Sequence, residues 1–98
     1  MAVAVIMEFN GATVAQYDQV IDKMNLAKGG PGPAGSLSHW AAATEAGLLA
    51  VDVWQSRELY EAFAQDQIGP FSAEAGITEP PKITYHEVHN YFMPGADG

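Results

Sequence analysis

The centre of the sequence holds two apolar segments that only a tight hairpin can join. Residues 36–44 and 48–54 are rich in alanine, valine, leucine and tryptophan, and only Glu45, Ala46 and Gly47 lie between them. A parallel crossover needs a dozen residues or more, so the two strands must be antiparallel neighbours. In a three-residue loop the last residue adopts the left-handed conformation, and Gly47 stands at that position.

The loop length also predicts which side chains share a face of the sheet. A three-residue loop pairs Trp40 with Asp52 and places Trp54 on the same face. His39 then lies on the opposite face among alanines and valines, where we expect a hydrogen-bonded core or interface histidine. A two-residue turn would instead pair His39 with Trp54.

The flanking segments complete the order strand, helix, hairpin, helix, strand. Residues 3–9 (VAVIMEF) form a continuous apolar strand, and Thr13 begins an amphipathic helix with the spacing of a capping box. Ser56 begins a second helix, which Gly69-Pro70 should end, and residues 82–93 form a long final strand. This order predicts a ferredoxin-like βαββαβ fold of the α+β class, with both helices on one face of an antiparallel sheet.

We expect one domain over residues 1–93 and a flexible tail over 94–98. The glycine- and proline-rich residues 28–35 (KGGPGPAG) cannot sustain a helix or strand, so we expect a mobile loop able to cover a cleft. The sheet face without helices would expose valines. A second copy of the chain is the simplest cover, which predicts a homodimer with an interface on the order of 2,000 Å².

Charge and composition exclude several classes of partner. The formal net charge is -8, and such a field repels nucleic-acid phosphates and anionic lipid headgroups. The chain has no cysteine and no apolar segment long enough for a membrane span. A signal peptide is not recognisable, so we expect a cytoplasmic protein with no nucleic-acid or membrane partner.

Two stretches of sequence resemble a known family. Residues 51–63 (VDVWQSRELYEAF) and 85–92 (YHEVHNYF), together with the order of elements, are similar to the dimeric α/β-barrel superfamily, in particular to small bacterial proteins labelled antibiotic-biosynthesis-monooxygenase-like. The most specific piece is a tryptophan at the end of the third strand, followed by a short polar step into the second helix. The resemblance implies a dimeric barrel with a cleft between sheet and helices in each subunit.

The resemblance also implies what such a cleft does. Some members are cofactor-independent oxygenases of phenolic polyketides, in which the cleft carries this tryptophan and a tyrosine six residues later; Trp54 and Tyr60 match both. The family's asparagine and second-strand histidine are replaced here by Ala50 and Ala42. Other members degrade haem through a histidine near the second helix, and residues 57–76 contain none.

Asp52 is the leading candidate for a catalytic group. Between two indoles its carboxylate would be partly desolvated, a condition that suits a general base near neutral pH. The structural alternative is that Asp52 accepts a hydrogen bond from an indole N–H or from Tyr60. His86 is the second candidate base.

The substrate-binding candidates are the large aromatic residues expected at the cleft: Trp40, Trp54, Tyr60, Phe63 and Phe71. The neighbouring alanines at positions 41, 42, 43 and 50 are too small to fill the space beneath them, which predicts a cavity. His86, Glu87 and His89 do not predict a metal site, because neighbouring strand residues point to opposite faces. No cofactor motif is present in the sequence.

These features support two functions. The first is a small-molecule-binding dimer that acts as a cofactor-independent monooxygenase on an aromatic or polyketide-like substrate. The second is a non-catalytic ligand-binding or accessory protein of the same fold.

Overall fold

The computed structural model describes residues 1–92 of the chain. The predicted flexible tail at 94–98 and Met93, the last residue of the predicted final strand, lie outside the described residues. The elements in chain order are β1 (Val3–Asn10), α1 (Val14–Lys23), β2 (Ser36–Ala43), β3 (Gly47–Trp54), α2 (Arg57–Phe63), a π-helical turn (Ala64–Ile68), α3 (Gly69–Glu74) and β4 (Lys82–Glu87).

The four strands form one antiparallel sheet in the order β2-β3-β1-β4. The two central strands, β1 and β3, bury alternate residues against the helices, and the core consists mainly of these side chains: Val3, Val5, Met7, Phe9, Leu48, Ala50 and Trp54. The predicted α+β ferredoxin-like arrangement is confirmed.

The hairpin has a shorter loop than the sequence predicted. Thr44 and Gly47 exchange backbone hydrogen bonds of 2.9 and 3.2 Å, so the loop contains two residues and not three. Gly47 is the first residue of β3, where a side chain would collide with the neighbouring strand: a Cβ there would lie 2.2 Å from the Phe9 carbonyl oxygen. The glycine is therefore required by close backbone approach and does not mark a third loop residue.

The shorter loop changes the register of β2 against β3. His39 pairs with Asp52 and Trp40 with Val51, so the predicted pairing of Trp40 with Asp52 was wrong. The two-residue turn considered as the alternative is present, but it pairs His39 with Asp52 and not with Trp54. Because a shift of one residue moves every side chain of a strand to the other face, His39 faces the helices and Trp40 does not. Trp40 is half exposed on the outer face, the face of the sheet without helices.

The helices begin where the sequence predicted. Thr13 caps α1 in a reciprocal capping box with Gln16, and the Ser56 side chain accepts a hydrogen bond from the Leu59 backbone N–H at the start of α2. The ten residues of α1 make the longest helix among residues 1–92, and none of the helices described is long and apolar enough to cross a membrane.

The predicted break at Gly69-Pro70 was wrong. The helical path continues through the π-helical turn, where the Gly69 backbone N–H donates to the Ala64 carbonyl five residues earlier. Pro70 then occupies the first turn of α3, a position where proline is well tolerated. The wider turn lets the chain pass the proline without ending the helix.

The final strand is shorter than predicted. It ends at Glu87, and His89 lies in a bend beyond it. His86 pairs with Ala4 on the outer face, whereas Glu87 pairs with Val3 on the helix-facing side. Among the described residues, no three histidine, aspartate or glutamate side chains come close enough together to hold a metal ion.

Candidate functional site

A cavity of about 350 Å³ lies between the helix-facing side of the sheet and the elements that cover it. One wall is the sheet itself, a second is α1, a third comes from the segment that contains the π-helical turn, and the loop between α1 and β2 closes the fourth side. The apolar wall residues include Met7, Phe9, Val20, Ile21, Leu48, Ala50, Trp54, Phe63, Ile68 and Ile77. The volume and the apolar walls suit a small aromatic molecule.

The glycine- and proline-rich loop lies over the cavity, as its composition suggested. Residues 28–33 contribute to the wall, and the end of the loop is fixed to β3 by a hydrogen bond of 2.9 Å from the Gln55 backbone N–H to the Gly35 carbonyl. Gly35 has a positive φ of 91°, and a Cβ there would lie 3.4 Å from the Trp54 ring and 3.1 Å from Leu59 Cδ1. This glycine lets the loop pass close to the buried indole.

Within these apolar walls runs a chain of hydrogen-bonded polar side chains. The Tyr17 hydroxyl lies 2.5 Å from His39 Nε2, and His39 Nδ1 contacts Asp52 Oδ1 in turn. The other carboxylate oxygen, Asp52 Oδ2, accepts a hydrogen bond of 3.0 Å from Trp54 Nε1. We call these four residues the polar chain. All four also line the cavity.

For a neutral His39, the partners in the polar chain assign the position of each proton. An ionised carboxylate only accepts, so His39 carries its proton on Nδ1 and donates it to Asp52. His39 Nε2 is then an acceptor, and the Tyr17 hydroxyl donates to it. Both oxygens of Asp52 are occupied, and its side chain is 6% exposed. Asp52 is therefore placed to orient His39 and to stabilise its protonated form.

Tyr17 in the polar chain and Tyr60 beside it both have a raised pKa. Burial raises the pKa of Tyr17, and the negative charges of Asp52 and Asp18 raise it further. Burial also raises the pKa of Tyr60, with smaller contributions from Tyr85 and Asp52. Both phenols consequently stay protonated at neutral pH, as the hydrogen bond from Tyr17 to His39 requires.

Aromatic packing holds the indole of Trp54 in place. Tyr60 meets it edge to face at a centroid distance of 5.9 Å, and Phe63 packs on it at 5.2 Å. The Tyr60 hydroxyl donates to Met7 Sδ at 3.2 Å. Trp54 and Tyr60 are each only 1% exposed, so this cluster fixes the carboxylate end of the polar chain.

The structure separates the residues predicted from sequence into two groups. Asp52, Trp54 and Phe63 line the cavity, and Asp52 accepts the expected indole hydrogen bond. The other four predicted site residues lie outside the cavity wall. Trp40 and His86 are on the outer face, Tyr60 is buried behind Trp54, and Phe71 on α3 is half buried.

Two residues of the site were not predicted. His39 was assigned to the outer face because the loop of the hairpin was taken to be one residue too long, and Tyr17 on α1 was not among the candidates. The two rings lie parallel, with an interplanar angle of 4°. A two-residue loop between Thr44 and Gly47 would have placed His39 beside Asp52 from the sequence alone.

Comparisons with known proteins bear on the fold. Neither a protein-family model nor a curated protein matches the chain. Among solved structures, it is similar to the NE2512 protein of unknown function from Nitrosomonas europaea, with a TM-score of 0.62 and 20% sequence identity over 97% of this chain and 94% of that chain. This likeness shows a shared fold.

A second similar structure is a monooxygenase from the gene ActVA-Orf6 of Streptomyces coelicolor, solved in complex with the ligand Nanaomycin D. The TM-score is 0.49 and the sequence identity 19%, over 96% of this chain and 92% of that chain. The fold that the sequence resemblance implied is confirmed by the likeness to the NE2512 protein.

Proposed function

We propose that the protein is a homodimer that binds an aromatic, polyketide-like small molecule in the cavity and oxidises it with molecular oxygen, without a bound cofactor. The observation that carries the proposal is the polar chain in the wall of a largely apolar cavity. A base oriented by a buried carboxylate, beside space for an organic molecule, is the arrangement that proton abstraction requires.

The proposed reaction converts a phenol and O₂ into a quinone and water. The substrate's hydroxyl proton passes to the Tyr17 oxygen while the Tyr17 proton passes to His39 Nε2, and Asp52 stabilises the resulting imidazolium. The phenolate formed is the electron donor to O₂. O₂ bonds to a ring carbon as a peroxide, which takes the proton back from His39 through Tyr17. The hydroperoxide then loses water, together with the hydrogen of that carbon, to give the quinone, so four electrons leave the substrate and one oxygen atom enters it. The apolar walls keep bulk water from the intermediates.

The second candidate is a non-catalytic ligand-binding protein. The observation in its favour is that the polar groups of the chain satisfy one another: each nitrogen and oxygen from Trp54 to His39 has a partner within the chain. A network that only stabilised the fold would show the same pairing.

One experiment separates the two functions. Aromatic compounds are screened by thermal shift and tryptophan fluorescence, and every compound that binds is then tested for oxygen consumption. The oxygenase proposal expects one O₂ consumed per substrate, with no oxygen returned on addition of catalase because the product is water. Binding without oxygen consumption supports the carrier, and failure of every aromatic compound to bind contradicts both.

The proposed dimer forms through the outer face of the sheet. In a single chain this face presents five large apolar residues: Ile6, Trp40, Leu49, Val51 and Val53. An isologous contact would cover this patch with its own copy. Light scattering should report twice the chain mass of 10.4 kDa at micromolar concentration, and Val51→Asp should give a folded monomer. A wild-type monomer would refute the dimer.

The absence of cysteine is compatible with the cytoplasmic location that we also propose.

A further inference from the structure

The proton positions of the polar chain allow Tyr17 to discriminate between ligands. We infer that the Tyr17 oxygen is the acceptor by which the cavity prefers a ligand with a hydroxyl group over the same ligand with an ether or carbonyl at that position. The inference rests on the proposed function for one premise, that the cavity takes aromatic ligands.

The first step concerns how Tyr17 differs from an ordinary tyrosine. A free phenol both donates and accepts, and therefore binds hydroxyls and carbonyls alike. The Tyr17 proton is committed to His39 Nε2, because His39 Nδ1 is committed to Asp52. Only the lone pairs of the Tyr17 oxygen remain for a ligand, and lone pairs only accept.

The second step concerns the other polar groups of the cavity wall. The hydroxyls of Ser36, Ser38 and Ser72 can rotate to donate or to accept, so they do not discriminate between ligands. Lys28 contacts Asp18 at 3.4 Å, and its side chain is 76% exposed at the solvent side of the loop. Both oxygens of Asp52 are occupied. Within the polar chain, Tyr17 is thus the group that can accept a hydrogen bond from a ligand but cannot donate one.

The third step is the consequence for substrate and product. A phenolic ligand donates to Tyr17, whereas a quinone places a second acceptor oxygen against the Tyr17 oxygen. The quinone loses a hydrogen bond and leaves two lone pairs facing each other in a partly buried site. We expect affinities that differ by about tenfold or more. In the proposed reaction this difference would favour release of the product.

The test is calorimetric titration under nitrogen, where no turnover occurs. The probes are 1-naphthol, 1-methoxynaphthalene, which cannot donate, and 1,4-naphthoquinone. The wild-type protein should bind 1-naphthol at least about tenfold more tightly than either of the others. Tyr17→Phe should lower the affinity for 1-naphthol to that for the ether. The affinity for the ether should stay unchanged, which also verifies that the variant is folded.

A second variant tests the proton assignment itself. In His39→Leu the Tyr17 proton has lost its acceptor and becomes available to a ligand, so the affinity for 1,4-naphthoquinone should rise. Three results would overturn the inference. They are equal affinity of the wild-type protein for 1-naphthol and its ether, an equal loss of affinity for both probes in Tyr17→Phe, or no binding of any probe. A clear preference for 1-naphthol without oxygen consumption in air would leave the inference standing and refute the oxygenase.

Discussion

Replacing Asp52 with asparagine changes the whole polar chain through a single atom. The carboxylate accepts from two ring N–H groups, Trp54 Nε1 and His39 Nδ1. The amide has one acceptor oxygen, so it can keep only one of these bonds. The buried indole of Trp54 has no water to replace its partner, and the amide oxygen should therefore stay with Trp54.

The amide nitrogen then faces His39 Nδ1 and donates to it. This forces the His39 proton onto Nε2, and the hydrogen bond to Tyr17 reverses: His39 Nε2 donates and the Tyr17 hydroxyl rotates to accept. Two charge-assisted bonds become neutral ones, which outweighs the relief of burying one charge less. The free energy of unfolding should fall by about 2 kcal/mol, which corresponds to about 8–16 °C in melting temperature for a domain of this size.

Nitrogen NMR of ¹⁵N-labelled histidine reports the change directly. In the wild-type protein the His39 resonances should be those of the Nδ1–H form, and in Asp52→Asn those of the Nε2–H form. Ligand binding should survive while any turnover falls by about 100-fold or more. Asp22→Asn, an equal change at an exposed carboxylate of α1, is the control. Retention of the Nδ1–H form with undiminished turnover would remove Asp52 from the mechanism.

Three further predictions, each with its comparison, test the structure around the site. In the monomeric Val51→Asp background, Trp54→Ala should lower the free energy of unfolding by about 3–5 kcal/mol, because it empties a buried site. Trp40→Ala should change stability little there, and similar urea midpoints for the two would contradict the register. Gly35→Ala should cost about 1–2 kcal/mol through its positive φ and its contact with Leu59. Gly32→Ala, whose Cβ would meet only Ser36 at ordinary contact distance, is the matched control, and an equal effect would refute a special role for Gly35. Above pH 10.0, the ordinary pKa of tyrosine, Tyr60 ionises in the unfolded chain. In the folded protein its raised pKa keeps it neutral, so the free energy of unfolding should fall as the pH rises. Tyr60→Phe should make that fall shallower in urea titrations between pH 8 and 11; an unchanged slope would contradict the raised pKa.

The fold could be predicted because its signals are local. The capping box at Thr13 and the cap at Ser56 depend on residues within one helical turn, and the apolar run of β1 follows from its own composition. The final strand was overestimated because residues beyond Glu87 keep an aromatic and β-branched character without a strand to pair with.

The site depended on a feature that local signals do not determine. Gly47 fits both a left-handed loop position and a strand position with a close backbone neighbour, and the choice is made by Phe9, 38 residues earlier in the chain. Since each one-residue step reverses the faces of a strand, this choice decided that His39, and not Trp40, joins Asp52. The cavity and its covering loop were predictable because they depend on residue size and backbone freedom and do not depend on register.

The π-helical turn makes the shape of the cavity sensitive to chain length. Phe63 and Ile68 both line the wall although they are five residues apart. In a regular α-helix such residues point about 140° apart, whereas the wider turn brings them toward the same side. Deleting one residue within Ala64–Ile68 would restore the regular spacing and turn one of the two side chains away. A single codon deletion, made by an engineer or selected in evolution, would therefore let the cavity accept a ligand of a different shape. The sheet and the polar chain would stay intact.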